Sequence, residues 1–411
     1  MLQIGWIDYS KDHRDRVMRV LEMLTNPGAL DELGISVVRD AFSDRLFPGT
    51  STLLTRAKYF LIIPWIMQEL EDKELPPAQF LKLLHEQEHL MSEVLHRNGE
   101  TTGVIGLRAG KALRRKPSEV YWNGLRTFGI FRDSRMSIAN YLQAAGKVRT
   151  FNKARRAALL RDDLVEAKDD HDADAAERFQ SFWDIIPSPD DWETQMTFEF
   201  TAEEAQFLRD KIITSPHSRR SLFAYLLGDG MGFMHSQLTF SNLDAFNLPP
   251  DIRRDYTMAQ QFALLIFGAH LRFNILFFQS NGQPEQAEAR QQEWLAWKDE
   301  IADFDFVQWD TRAMLKVMGI SSGQHAYHFV LTWIDRYVRH LMTASEAEMD
   351  EFIRKREIQL KGPKRAKIGN TPHYEGEWIG VDRLEYRWRY ARQIILDIAH
   401  GLEGNDAPSR A

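Results

Sequence analysis

The chain has 411 residues and not one cysteine. That absence excludes disulfides, thiolate zinc sites and cysteine nucleophiles. It suits a reducing compartment, and a cytoplasmic location is expected. Any metal would have to rest on His and carboxylate ligands. A leader pattern is lacking too, because "MLQIGWIDYSKDHRD" has only a short apolar run, followed directly by charges. The most apolar segment, Phe262 to Phe278, is interrupted by His270, Arg272 and Asn274. It is too short and too polar for a membrane span and reads as a buried helix, so no membrane partner is expected. Internal repeats, low-complexity tracts and a G-x-S-x-G nucleophile elbow are also missing.

What is present is a soluble globular balance, 44% hydrophobic and 27% charged, with 11 Trp and 25 Phe to fill a core. Alternating runs are scarce and amphipathic stripes are many, so the expected fold is mainly α. It would contain two or three packed helical units and one short N-terminal strand, "LQIGWIDYS". Helices are predicted from about Ser51 to Asp72, from Pro77 to His96, and over Leu222–Leu227, Met258–Gln279, Glu285–Ala302 and Gln324–Ala344. Pro64 should bend or split the first of these. Thr201 with Glu204 three residues on forms a capping-box signature. Leu384, Trp388, Ala391, Ile395, Ile398 and Leu402 make a final 3.6-residue stripe. The expected organisation is a helical domain with a basic surface over 1–161 and an acidic linker over 162–195. A central helical domain over 196–345 and a basic loop with the C-terminal helix over 346–411 complete it.

Charge is distributed unevenly although the net value is only −7. Gly103 to Arg161 holds fourteen Lys and Arg against Glu119 and Asp133, and Asp162 to Glu177 holds eight acids against Lys168. Arg354 to Lys367 has seven Lys and Arg against Glu357. Phosphate backbones need cations at such density, so Arg108, Lys111, Arg114, Arg115, Lys116, Arg126 and Arg132 are candidate contacts to DNA or RNA. Tyr121, Trp122 and Phe128 lie among them and could either stack on bases or fill a core.

Three local patterns invite chemistry. His85-Glu86-Gln87-Glu88-His89 satisfies H-E-x-x-H, with His85 and His89 one turn apart as zinc ligands and Glu86 as base. A third ligand is not apparent, since His96 lies about 10 Å along the axis from His89. The plainer reading is a charged, solvent-facing stripe opposite Phe80, Leu83, Leu84, Met91 and Val94, and no metal is expected. "GVIGLRAGKA" fails as a phosphate loop, because Ile105 and Ala112 stand where Gly and Ser or Thr are required. Its glycines instead suit tight turns, and no cofactor is expected. In "FPGTSTLLTRAK", Thr50, Ser51 and Thr52 could cap a helix whose N-terminus attracts anions, with Arg56 and Lys58 nearby. Arg39 and Arg45, beside Asp40 and Asp44, would form either a salt-bridged corner or the lining of a pocket.

"GWIDYS", "LGISVVRDAFSDRLFPGTSTLLTRAKYFLIIPW", "GVIGLRAGKALRRKPSEVYWNGLRTFGIF" and "RLEYRWRYARQIILDIAHGL" together resemble a bacterial family known as a domain of unknown function. The resemblance covers most of the chain. It implies a setting in anti-phage defence clusters, beside helicases, methyltransferases or phospholipase-D-like nucleases. It carries no catalytic residues, and H-E-x-x-H is not part of its pattern. The expected function is an accessory component of such a system, binding nucleic acid or a partner nucleic-acid enzyme through the basic surface. Two alternatives stand beside it: a hydrolase, zinc-dependent at the HEQEH helix or metal-independent near FPGTST, and a non-enzymatic protein-interaction scaffold.

Overall fold

Amphipathic periodicity becomes helix almost throughout the computed structural model, which describes residues 31–73, 75–145, 181–234, 237–370 and 374–404. The expected N-terminal strand and most of the acidic linker lie outside these residues. Among the described residues the only β pairing is an isolated antiparallel bridge between Phe131 and Trp183. The fold is mainly helical. Two compact units emerge, each assembled from separate stretches of chain: Met1–Ser43 with Arg254–Tyr386, and Asp44–Arg253 with Arg387–Ala411. The expected segments run continuously along the chain, whereas these units interleave.

The first unit is organised on α7 (Pro250–Ser280), whose last residues before the chain turns are Phe277, Phe278, Gln279 and Ser280. By length and composition this helix could cross a membrane, but 83% of its most apolar window is buried inside the protein. Its apolar surface is therefore used in packing. Trp297 of α8 (Pro284–Ala302) lies against Gly268, where a Cβ would collide with the indole. The same indole donates to the Leu264 carbonyl at 2.8 Å, and Trp333 donates to that of Leu265 at 3.0 Å. The polar interruptions of the apolar run are buried. Arg272 binds Asp350 at 2.6 Å and Glu346 at 3.0 Å, and Asn274 exchanges hydrogen bonds with the backbone of Ile379. Burial without partners would cost several kcal/mol for a charge, so these pairs are what make Arg272 and Asn274 tolerable, whereas His270 keeps an Nε2 without a hydrogen bond among the described residues. The predicted helix over Gln324–Ala344 is α10 (His325–Leu331) continuing into a π-helix, Thr332–Val338.

The basic stretch 354–367 belongs to this unit and turns inward at Arg356, Lys361 and Lys367, while Lys355, Lys364 and Arg365 are exposed. Lys361, at the end of α11 (Glu346–Lys361), pairs with Glu32 and with Glu357 at 2.7 Å. Lys367 reaches Glu32 at 2.7 Å, and Arg356 donates to the carbonyls of Leu33 at 2.7 Å and Gly34 at 3.2 Å. Glu32, Arg356 and Glu357 are buried.

The second unit holds α2 (Tyr59–Glu71), which packs on α3 (Pro77–Arg97) and α4 (Pro117–Thr127). Helix α5 (Ala202–Thr214) packs on α6 (Leu222–Leu227) and α12 (Trp388–Glu403). The capping box forms as its residues dictate: Glu204 N–H donates to Thr201 Oγ1 at 3.2 Å, and Thr201 N–H to Glu204 Oε2 at 2.8 Å. The C-terminal stripe buries Trp388, Ala391, Ile395 and Ile398. Leu384 lies before the helix, which begins at Trp388.

Helix α2 begins at Tyr59, not near Ser51 as predicted. The reason is that backbone donors of the preceding segment have tertiary partners. Tyr121 Oη accepts from Thr55 N–H and Arg56 N–H at 3.0 and 3.1 Å, and Asp397 accepts from Ala57 N–H at 2.8 Å. Pro64 lies within the helix, and the helix continues through it to Glu71.

Candidate functional site

Helix α3 starts at Pro77, whose missing N–H costs nothing in the first turn, and stops before Gly99 at φ +98°. Phe80, Leu84, Glu88, Met91 and Leu95 are buried along one face. Glu88 therefore occupies a core position on an otherwise apolar stripe. The predicted solvent-facing stripe is corrected here: His85 and His89 are half-buried and Ser92 is buried. Their face is covered by the glycine-rich loop 103–116 and the start of α4. Glu86 does remain exposed, 3.8 Å from Lys82.

The covering loop is shaped by its glycines. Gly103, Gly106 and Gly110 have φ of +81°, +92° and +51°. At Gly103 a Cβ would also stand 2.7 Å from the Arg56 side chain, so only glycine fits. Tyr59 Oη anchors the loop by accepting from Ile105 N–H at 2.9 Å. A short 3₁₀ turn, Gly110–Ala112, follows, and the chain then enters α4 at Pro117.

Glu88 meets α4 at its N-terminus. Its Oε1 accepts from Ser118 N–H at 2.5 Å, thirty residues on in sequence. This satisfies one of the free donors of the helix start. Burial pushes the carboxyl up to about 7, against the opposing pull of the Ser118 hydrogen bonds. Glu88 Oε2 and His85 Nε2 are both buried without a hydrogen-bond partner among the described residues. His85 is pushed below its ordinary value, by burial and then by the nearby Lys116 charge. His85, Glu88, His89, Gly106, Gly110 and Lys116 are among the residues lining a cavity of about 10 Å³, room for roughly one water molecule. His89 Nε2 lies 3.6 Å from Glu93. Among the described residues no group of three or more His, Asp or Glu could hold a metal ion.

The predicted nucleic-acid contacts are dispersed by the fold. Arg108 and Arg114 are exposed on the loop, and among the described residues no ion pair or hydrogen bond holds either side chain. Arg115 and Lys116 are half-buried, and the Lys111 side chain lies outside the described residues. Arg126 reaches the Met136 carbonyl at 3.5 Å, and Arg132 donates to that of Trp183 at 3.2 Å. Tyr121, Trp122 and Phe128 are buried, so these rings fill the core and cannot stack on bases.

The FPGTST segment is bound into the protein. Thr50 is buried and donates to the Phe47 carbonyl at 2.6 Å, while Ser51 Oγ accepts from Leu53 N–H at 3.4 Å. Thr52 is exposed, and none of the three caps α2. Arg56 Nε lies 3.0 Å from both oxygens of the buried Asp397, with its guanidinium over Phe198. Lys58 is buried against Glu204 and donates to the Glu199 carbonyl at 2.8 Å. Both charges are thus already neutralised within the unit. Arg39 pairs with Asp40 at 3.0 Å in the first unit, and in the second Asp44 binds Arg387 at 2.6 Å while Arg45 is exposed.

Sequence reasoning missed Glu88, which the zinc motif treats as a filler position. The spacing 80, 84, 88, 91, 95 carries the signal, since a carboxylate at a core position needs a buried donor.

The family model that matches this chain is described as "Family of unknown function (DUF6361)" and covers residues 1–401. The chain belongs to that family. No curated protein and no solved structure matches it.

Proposed function

We propose that this member of the DUF6361 family is a non-enzymatic binder of nucleic-acid backbone that works through the loop 103–116. The observation that supports the reading is the pair Arg108 and Arg114, two exposed cations with no partner among the described residues, on a loop pinned at its base. An unpaired guanidinium on an anchored loop is suited to phosphate, which it can contact in a planar, bidentate manner. The inward-facing aromatics remove base stacking from Tyr121, Trp122 and Phe128 and leave phosphate contact, which carries no base information. Binding should therefore be largely independent of sequence. A cytoplasmic accessory role beside nucleic-acid enzymes in an anti-phage defence cluster, the setting that the resemblance implies, would suit such a binder. The test is an anisotropy titration with labelled duplex and single-stranded oligonucleotides of several sequences at low salt. Similar affinity across sequences is expected, weakened by Arg108→Ala with Arg114→Ala. No binding to any of them would favour the protein-interaction scaffold instead.

A further inference from the structure

The segment 215–221, "SPHSRRS", interleaves small hydroxyl side chains with basic ones, and the fold separates the two kinds. Ser215, Ser218 and Ser221 are buried, whereas His217, Arg219 and Arg220 are exposed. The serines fasten the turn. Ser215 Oγ donates to the Thr127 carbonyl at 2.6 Å and accepts from His217 N–H at 3.3 Å. Ser218 Oγ donates to the Ile212 carbonyl, and Ser221 Oγ donates to that of Ser218 at 2.6 Å. Arg219 and Arg220 thus stand on an anchored turn, and among the described residues no ion pair or hydrogen bond holds either side chain.

Thr127 is the last residue of α4, and the loop 103–116 leads into its first. The two exposed pairs, Arg108 with Arg114 and Arg219 with Arg220, therefore sit on segments joined to opposite ends of one helix. That helix has 11 residues and is about 16 Å long. Between its ends Glu119 and Asn123 are exposed and Arg126 is half-buried, at helical spacing. Glu119, the one acid of the three, accepts from Lys116 N–H at 3.1 Å.

We propose that one double-stranded nucleic acid lies along α4, and that Arg219 and Arg220 hold its backbone at the end remote from Arg108 and Arg114. This deepens the backbone-binding reading, rests on it, and assigns duplex as the substrate class. The argument is one of spacing and stiffness. Phosphates recur about every 3.4 Å along each strand of a duplex, so the length of α4 corresponds to about five base pairs. Duplex is stiff over about 150 base pairs, so it presents phosphates to both arginine pairs without being ordered by the protein. A flexible single strand has to be straightened to reach both ends, and that ordering subtracts from its affinity.

The experiment is an anisotropy titration of a labelled DNA duplex of about 20 base pairs, and of one of its strands alone, from about 50 to 200 mM salt. Wild type should bind no more than one duplex per chain, and duplex more tightly than the strand. Arg219→Ala with Arg220→Ala should make the log–log salt slope for duplex shallower by about 0.9 for each lost phosphate, close to 2 in all, and weaken binding at least about tenfold at 100 mM salt. Arg219→Lys with Arg220→Lys keeps both charges and should retain the wild-type slope, which separates a lost phosphate contact from a disturbed turn. A wild-type slope in the alanine variant, beside a reduced slope in Arg108→Ala with Arg114→Ala, overturns the proposal and leaves the backbone-binding reading standing. A lysine variant as shallow as the alanine one, a strand bound as tightly as duplex, or two duplexes per chain does the same. Absence of binding by wild type to either probe overturns the reading and the proposal with it.

Discussion

Two stretches of this chain look alike in sequence but differ in which of their cations the fold draws inward. Arg354–Lys367 and the loop 103–116 are both crowded with Lys and Arg. In the first, Lys361 and Lys367 converge on Glu32, and Arg356 is buried against backbone carbonyls. In the second, Arg108 and Arg114 reach solvent with no partner among the described residues. A window of like charges is therefore not yet a surface. What decides its role is whether acids from elsewhere in the chain meet it, and Glu32 is 329 residues from Lys361.

That contrast can be broken deliberately. Glu32→Ala should have the largest effect, because it leaves the Lys361 and Lys367 ammonium groups without their shared buried partner. Removing one side of a buried pair costs about 3–5 kcal/mol, readable by denaturant unfolding. A cost below about 1 kcal/mol would mean that the inward cluster is solvated like the loop.

The next effect is in pH. Glu88 is raised in the folded state relative to an unfolded carboxyl, so the folded protein binds the extra proton. The stability it contributes is complete below the unfolded value near 4.5 and is lost as pH rises through about 7. At most about 3 kcal/mol is at stake, by the free energy of one pKa unit. Glu88→Gln should flatten this part of the profile, and an unchanged profile in that variant would remove Glu88 as its source.

The smallest change should follow Arg108→Ala with Arg114→Ala, which is expected to move stability by less than about 0.5 kcal/mol. A larger loss would show that these cations hold structure, as Lys361 and Lys367 do, and the contrast between the two stretches would fail.

Local features were legible in the sequence, because their partners are near in the chain. The Thr201–Glu204 capping box and the start of α3 at Pro77 both form where the residues place them. The mainly helical class follows from the stripes in the same way. Features set by distant partners were not legible. The late start of α2 depends on Tyr121 and Asp397, which are 65 and 340 residues from the donors that they hold. The same is true of Arg56 and Lys58, which read as candidates for anion binding until Asp397 and Glu204 are seen beside them. The HEQEH helix lies between these cases. Its helical form was readable, but the covering of its histidine face by loop 103–116 was not. Glu88 could have been found from its core spacing alone.

The central claim is that the loop cations, unlike the inward ones, are available to phosphate. The most direct measurement is the salt dependence of duplex affinity for wild type and for Arg108→Ala with Arg114→Ala. A log–log plot should be linear for both, with the variant's slope shallower by about 0.9 for each phosphate that is no longer neutralised, close to 2 in all. Equal slopes in the two proteins would contradict the account, since binding would then be carried by cations other than these.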